Sequence, residues 1–453
     1  NMSSDEEQEY FSDGLSEELL NLLAKIPELR VIARTSSFAY KGKDVKIADV
    51  AKELKVAHVL EGSVRKSGNQ VRVTAQLIRA EDSSHLWSET YDRTLDNIFA
   101  IQDEIAANVV GQLRLTLLGE APRVSETKPE AYALYLQARY ISRLGSFEKI
   151  EESVGLYQQA LAIDPDYAEA WADLGRAYAS LAWGGTTIDQ EAGYEKAREA
   201  MNRALSIDPE NAPALSRLGW IAMVNNDLSL AASYSQKALA LDPGSDIPLG
   251  NAAQFLNSLR RHDEATRLHQ LGIGLNPVDA NAHVSLGDSQ YLMGAFDKSL
   301  ESYKVTVRLS PSFWGAEYGV GRALLVMGEP QIALEAFNRE PLEELKTKGV
   351  ALAYYSLGRE ADLQAALKQY RERWGEQWPS ELAAIYAWAG DADAAFEWLD
   401  KALEANDSYL PFLPDDYLLN KLHQDPRWHT FLENAGYTTE QLAAIEFKVA
   451  LPQ

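Results

Sequence analysis

Cysteine is absent from this sequence of 453 residues. That excludes a disulfide framework, a thiolate zinc site and a cysteine nucleophile. A chain without cysteine suits a reducing or an oxidising compartment equally, so its absence leaves location open. Long apolar runs are also missing. Nowhere does the sequence hold the roughly 18 consecutive apolar residues that a membrane helix needs, nor a secretory apolar segment. Basic charge is scarce, with 43 Lys+Arg against 67 Asp+Glu and a net charge of -24. Such a chain repels a phosphate backbone unless one face concentrates its basic residues, and no Lys/Arg run does so. Direct nucleic-acid binding is therefore not expected. The phosphate loop Gly-x-x-x-x-Gly-Lys-Ser/Thr, the dinucleotide fingerprint Gly-x-Gly-x-x-Gly and the elbow Gly-x-Ser-x-Gly are all lacking. No catalytic residue, metal or cofactor is expected, and the chain is read as not an enzyme.

What is present is a core-forming composition, 46% hydrophobic and 24% charged, and a length that suits two or three domains. The first residues, Asn1-Met2-Ser3-Ser4-Asp5-Glu6-Glu7, are polar and acidic, and an initial Asn reads as a piece cut from something longer. Near residue 120 the pattern changes. Residues 119–129 carry two prolines and no apolar period, the composition of a linker.

Before that linker, helix and strand signals mix. Ser12-Asp13-Gly14-Leu15-Ser16 followed by Leu19, Leu20, Leu22 and Leu23 predicts a capped amphipathic helix. Residues 30–34 predict a short strand and 47–54 a second helix with apolar positions at i, i+3, i+4 and i+7. Residues 57–65 and 70–78, joined across Ser67-Gly68-Asn69, predict a β-hairpin. Residues 84–91 would pair on it, and 96–117 would close the unit as a long helix. The expected fold is an α+β domain with helices on one face of the sheet.

The residues Phe11-Ser12-Asp13-Gly14-Leu15-Ser16-Glu17-Glu18-Leu19, Leu60-Glu61-Gly62-Ser63-Val64-Arg65, Ala75-Gln76-Leu77-Ile78, His85-Leu86-Trp87-Ser88-Glu89-Thr90-Tyr91-Asp92-Arg93 and Ile98-Phe99-Ala100-Ile101-Gln102 carry a resemblance over about residues 10–105. This string resembles a bacterial module similar to the TolB amino-terminal domain and to FlgO-type domains. The resemblance implies an upstream signalling domain with a membrane segment, the former often a winged-helix DNA-binding domain or a nucleotide cyclase, and a tetratricopeptide array downstream. It implies no catalytic residues.

The second half repeats. Proline recurs at Pro165, Pro209, Pro243, Pro277 and Pro311, with spacings of 44, 34, 34 and 34. A period of 34 is that of tetratricopeptide helix pairs, and the extra length of the first spacing fits the insertion at Trp183–Asp189. Leu174-Gly175, Leu218-Gly219 and Leu286-Gly287 fall at one place in the repeat, with Val320-Gly321 a variant. Glycine there lets helix A approach helix B. Ala160, Ala204 and Ala238 supply a second small contact, and each proline ends a helix B. Gly328, Gly358 and Gly390 mark later turns, with Ala333, Leu363 and Ala395 at the packing position. About eight helix pairs are expected from residue 131 to near Asn406, and Asp425-Pro426-Arg427-Trp428 opens a capping helix.

Several residue groups invite a reading as sites. Gly272 and Gly274 sit in a helix B and read as relief of packing. His262 and His269 are seven apart, whereas a helical metal pair wants i, i+4. Across Pro426, His423 and His429 fare no better. Glu17-Glu18, Glu343-Glu344 and Asp415-Asp416 diverge in direction and read as solvated surface. In His85-Leu86-Trp87, Leu86 is expected on one side of the sheet and Trp87 under the closing helix, and the basic hairpin residues Arg65, Lys66 and Arg72 read as plain surface. The inner groove of the array is the stronger candidate. By repeat register its lining residues are Arg176, Ser216, Trp220, Met223, Gln254, Asn257, Asp288, Tyr291, Tyr318, Arg322 and Tyr355. Rings beside amides and a few charges suit a peptide, although Trp220 and Met223 would also serve simply to fill the inner wall. The Lys/Asn clamp for a chaperone's terminal carboxylate is not seen.

The expected architecture is an α+β domain over 1–118, a linker over 119–129, an all-α tetratricopeptide superhelix over 130–408 and capping helices with a tail over 409–453. The expected function is a non-catalytic sensory or scaffold region that binds a protein or peptide in its groove. By resemblance it belongs to a membrane-anchored bacterial signalling protein, on the periplasmic side if one membrane helix precedes it and the signalling domain is cytoplasmic, with the cytoplasm as the alternative. Two rivals are an envelope assembly scaffold and the regulatory region of an enzyme such as a nucleotide cyclase. A homodimer stays open, since the ends of helical arrays pair but no heptad run enforces pairing.

Overall fold

A computed structural model describes residues 1–3, 9–24, 29, 31–43, 45–94, 98–113, 127–142, 147–184 and 188–449. Alternation along the hairpin produces an antiparallel sheet, β1 (His58–Ser67), β2 (Gln70–Arg79) and β3 (His85–Thr94), in that order. Val71, Val73, Ala75 and Leu77 of β2 are buried on one face, while Arg72 is exposed and Thr74 half-buried on the other. Gly68 in the two-residue turn takes φ +58°, the left-handed conformation such turns require. A register shift at Leu77/Ile78 breaks the alternation. The consecutive side chains Leu86 and Trp87 therefore both pack, half-buried, on the core, rather than on opposite faces as expected.

Four helices accompany the sheet: α1 (Glu9–Ala24), α2 (Arg34–Phe38), α3 (Ile47–Leu54) and α4 (Ile98–Leu113). Two expectations need correction. First, α1 starts before Ser12, so Gly14 is not part of a cap but a mid-helix notch, where a Cβ would overlap the Leu136 side chain. Second, 31–33 form no strand, and Arg34 already opens α2; Arg30 lies outside the described residues. The reason is that this stretch bonds elsewhere. The Ala33 N–H donates to the Leu275 carbonyl at 2.9 Å, and the Ser36 hydroxyl to Asn276 Oδ1 at 2.6 Å. Ile32 is buried in a small cluster with Val50 and Leu54.

Antiparallel helix pairs follow. They are α5/α6 (Pro129–Ser142, Phe147–Ile163), α7/α8 (Ala168–Gly184, Gln190–Ile207), α9/α10 (Ala212–Val224, Leu228–Leu241) and α11/α12 (Asp246–Ser258, His262–Leu275). After them come α13/α14 (Ala280–Leu292, Phe296–Leu309), α15/α16 (Ala316–Val326, Pro330–Arg339), α17/α18 (Glu343–Ser356, Glu360–Trp374) and α19/α20 (Pro379–Ala389, Ala392–Glu404). Each periodic proline lies two residues past a helix B, and Ala160, Ala204 and Ala238 are fully buried. The later segment has two 3-10 turns, Leu410–Asp415 and Tyr417–Leu422, then α21 (Pro426–Ala435) and α22 (Thr439–Ala443). No helix among the described residues is long and apolar enough to cross a membrane.

Residues 1–215, 241–245 and 275–277 form one compact unit; 216–240, 246–274 and 278–453 form another. In the first, the sheet module and the first two helix pairs share a single core. Phe11, Leu15 and Leu19 of α1, Val73 and Leu77 of β2 and Ile105 of α4 belong to one buried cluster with Tyr132, Leu136, Tyr157 and Leu174. The expected linker lies outside the described residues except for 127–129. Of these, Lys128 Nζ donates to the Ile163 carbonyl at 2.7 Å.

Charges extend this junction. Arg139 of α5 pairs with Glu17 and Glu18 of α1 and, at 3.4 Å, with Asp173 of α7. Arg34 reaches Glu17 at 3.2 Å, and Lys41 pairs with Asp13. Glu17 is 4% exposed, so it is a buried partner of α5 and not the solvated carboxylate expected.

In the second unit, aromatic rings take the place of small contacts. Tyr303 of α14 fills the space over Gly287 and Gly319, and Phe337 of α16 the space over Gly321 and Gly349. Each ring thus sits against a glycine of its own helix A and one of the next, which is why the backbones can approach. Gly272 and Gly274 behave differently. A Cβ at either would meet nothing within 4 Å, so they do not relieve packing as expected.

Candidate functional site

The groove candidates fall in both units, Arg176 in the first and the others in the second. Arg176 is half-buried, pairs with Asp173 at 3.1 Å and reaches the Ser142 hydroxyl at 3.3 Å. Ser216 and Met223 are each 1% exposed. Ser216 accepts from Asn251 Nδ2 at 2.8 Å, so both residues build the wall rather than face a ligand. Trp220, beside the Arg217 guanidinium, and Gln254 are half-buried.

Around Arg322 the structure gathers more of the set. The guanidinium is buried, 4.2 Å from the Tyr291 ring centroid and 5.8 Å from that of Tyr318. It donates to the Tyr303 hydroxyl at 2.6 Å and to the half-exposed Asp288. Tyr291, Tyr318 and Asn257 are likewise buried, and only Tyr355 of the set is exposed.

Beside this cluster lies Lys348, 1% exposed and ion-paired with Glu381. Its burial pushes the ammonium down to about 8. Burial also raises the carboxyls of Glu344, which accepts from the Tyr370 hydroxyl, and of Asp407, which caps α19 through the Ser380 N–H at 3.0 Å. These charges are matched within the protein and hold helices together. Among the described residues no three His, Asp or Glu side chains come close enough to hold a metal ion.

The inner residues have a neighbour that the periodicity did not reveal. Residues 410–422 return over the ends of the helices A and the A–B turns of the second unit. Tyr417 packs its ring 5.8 Å from Tyr291 and 4.7 Å from Phe296, and its hydroxyl lies on Gly294. Arg260 holds Asp415 in a two-pronged pair, Nε to Oδ2 at 2.9 Å and Nη2 to Oδ1 at 2.6 Å. His262 adds a bond from Nε2 at 2.8 Å, while its Nδ1 meets Asn257 at 3.1 Å. Burial alone would raise the Asp415 carboxyl, but the bonds from His262 and Arg260 outweigh it and hold it low. Lys421 lies over the rings of Tyr355, at 4.7 Å, and Trp388. Asp416 is 1% exposed and caps the second 3-10 turn through the Leu418 N–H. The Asp415-Asp416 pair is therefore a set of contacts and not the solvated surface expected.

One helix of the expected cap, α21, does cover the array. Its Arg427 pairs with Asp393 and lies 4.3 Å over Phe396 of α20. The residues missed are Arg260, Lys348 and Tyr417, while His262 and Asp415 were named but not as partners of each other. A signal was available in Leu410, Leu413, Leu418, Leu419 and Leu422, which are more leucines than the end cap alone would bury.

On the hairpin, Arg72 is paired with Asp92 and Arg65 donates to the Met2 carbonyl, so the basic residues form no common patch. Lys66 instead lies 5.1 Å over the Phe11 ring. His269, 3% exposed on α12, is a core residue, and burial pushes its imidazole down to about 4. The unfolded chain takes up this proton near 6.5 and the folded one only near 4, so stability falls as pH drops through that window. His269→Leu should flatten the loss by about 2 kcal/mol, read from urea unfolding at pH 7 and pH 4.5.

Comparison with known proteins agrees with the repeats. Residues 148–181 match the family described as TPR repeat, and 190–246 the one described as tetratricopeptide repeat. A protein of Rhizobium meliloti named putative adenylate cyclase 3 is 46% identical over 179 residues, which are 38% of this chain and 30% of that protein. Cellulose synthase operon protein C of Pseudomonas fluorescens is 28% identical over 166 residues, 36% of this chain and 12% of its own length. Both matches span less than a third of the relative. Among solved structures, pilF of Pseudomonas aeruginosa superposes with a TM-score of 0.36 at 20% identity, covering 45% of this chain and 92% of that one. The chain carries tetratricopeptide repeats, a protein-binding scaffold, behind an α+β module.

Proposed function

We propose that this chain is the non-catalytic, protein- or peptide-binding sensory region of a bacterial membrane-anchored signalling protein, working on the periplasmic side of the inner membrane. The repeated helix pairs carry the reading. Such pairs bury one face against their neighbours and leave the helix A row as a long recognition surface. The module resembling TolB and FlgO domains precedes that surface in the chain, on the side of the proposed membrane segment. Its shared core with the first helix pairs favours transmission, because strain passes through a packed core better than through a free linker.

A second reading is favoured by the Rhizobium relative with a cyclase name: a regulatory region of a nucleotide cyclase. In either case the chain itself performs no chemistry. Incubated with ATP or GTP and a divalent cation, it should yield no cyclic nucleotide, and any turnover would sink the non-catalytic reading. The recognition surface is tested by Trp220→Ala/Tyr355→Ala, at positions half-buried and exposed, so that the fold survives. Retention of a bacterial envelope protein should drop at least about tenfold, the loss of roughly 1.4 kcal/mol that a modest aromatic contact gives. Equal retention by both proteins would move recognition away from the row.

A further inference from the structure

We infer that the rim of the helix A row in the second unit, where each helix A turns into its helix B, recognises a segment of the pattern Asp-x-Tyr-Leu-Leu, and that residues 415–419 of the chain itself occupy that surface as an internal ligand. The inference rests on the reading of this row as a recognition surface. It adds the chemistry of the peptide.

The carboxylate of Asp415 has a prepared receptor. Arg260 meets both of its oxygens and His262 one of them, a geometry specific for a planar carboxylate. Backbone conformation also marks Arg260. It takes φ +61° in the turn between helices A and B, where the residues at corresponding turns are Asn226, Gly294 and Gly328. An arginine in the left-handed region costs about 1 kcal/mol relative to glycine, so its presence there is accounted for by the guanidinium it delivers. Two residues after the carboxylate, the ring of Tyr417 packs edge-on against Tyr291 and Phe296, which also touch each other, in a three-ring seat. The seat is open because Gly294 has no side chain; a Cβ there would strike the tyrosine hydroxyl. Leu418 and Leu419 then bury completely. Carboxylate clamp, ring seat and buried leucines stand in the order in which a peptide would read them. A partner that uses this face must offer the same chemistry and displace the segment.

The test is fluorescence anisotropy with a labelled synthetic peptide of residues 408–424, titrated into the full chain. Wild type should bind it at least tenfold more weakly than Asp415→Asn/Tyr417→Ala, in which the internal segment is loosened. Adding Arg260→Ala to that variant should remove the gain. Equal binding to wild type, no binding to a folded loosened variant, or binding indifferent to Arg260 would each overturn the inference. If the loosened variant does not fold, hydrogen exchange of wild type decides. Amides of 417–422 should exchange well before those of α13 and α17, and exchange only by global unfolding would make the segment permanent core and refute its role as a ligand. An envelope protein retained through Trp220 and Tyr355 that does not compete with the peptide would refute the ligand class while leaving the binding function standing.

Discussion

Phe337→Ala is expected to destabilise the second unit by about 3–5 kcal/mol, the range for emptying a fully buried aromatic site. The ring is 0% exposed and is the filler between α15 and α17, against Gly321 and Gly349. Glycine on both sides means that neither backbone carries a side chain able to rotate into the void, so the cavity stays open. The reverse change argues the same point. Gly349→Val drives a branched side chain into the ring and should cost about 3 kcal/mol by overpacking, outweighing the roughly 1 kcal/mol by which helix propensity penalises glycine. Phe337→Leu in the Gly349→Val background should recover part of the loss, because a smaller side chain makes room. Hydrogen exchange of amides in α15 and α17 measures all three. A loss under about 1 kcal/mol in Phe337→Ala would mean that the ring does not hold the two helices together.

Arg139→Met should be nearly as costly in the first unit, about 3 kcal/mol or more, since removing one partner of a buried pair strands the other. Glu17 is 4% exposed and would lose its pairing with Arg139 while Arg34 stays 3.2 Å away; Glu18 would lose its pairing with Arg139 as well. Glu17→Gln in the same background should restore part of the stability, because the uncompensated buried charge disappears. A pair at the surface would give no more than about 1 kcal/mol and no such rescue. The double-mutant cycle, read from exchange protection of α1 and α5, tells the two situations apart.

These two sites show what the sequence carried and what it did not. Repeats were legible because burial imposes a period: each proline ends a helix B, and each Leu-Gly or Val-Gly step meets that helix. The hairpin was legible from alternation and a Gly-Asn turn. The strand expected at 30–34 failed because a local apolar pattern cannot show that Ala33 and Ser36 will bond Leu275 and Asn276, more than two hundred residues away. Glu17 and Glu18 looked solvated for a similar reason, as their cation lies on α5. Register placed Tyr291, Tyr318, Asn257 and Arg322 on the inner row, yet could not report that the chain returns over the ends of the helices A. Contacts such as Asp415 with Arg260 fall outside any repeat, so no period announces them.

Recognition of a protein on the helix A row is decided by placing a photo-crosslinking residue, one position at a time, at Trp220, Gln254 and Tyr355 of the row and at Glu301 and Lys304, exposed on α14. Irradiation in bacterial cells should give a discrete adduct with another protein from the row positions and none from α14. Adducts from α14 alone, or equally from both sets, would contradict it.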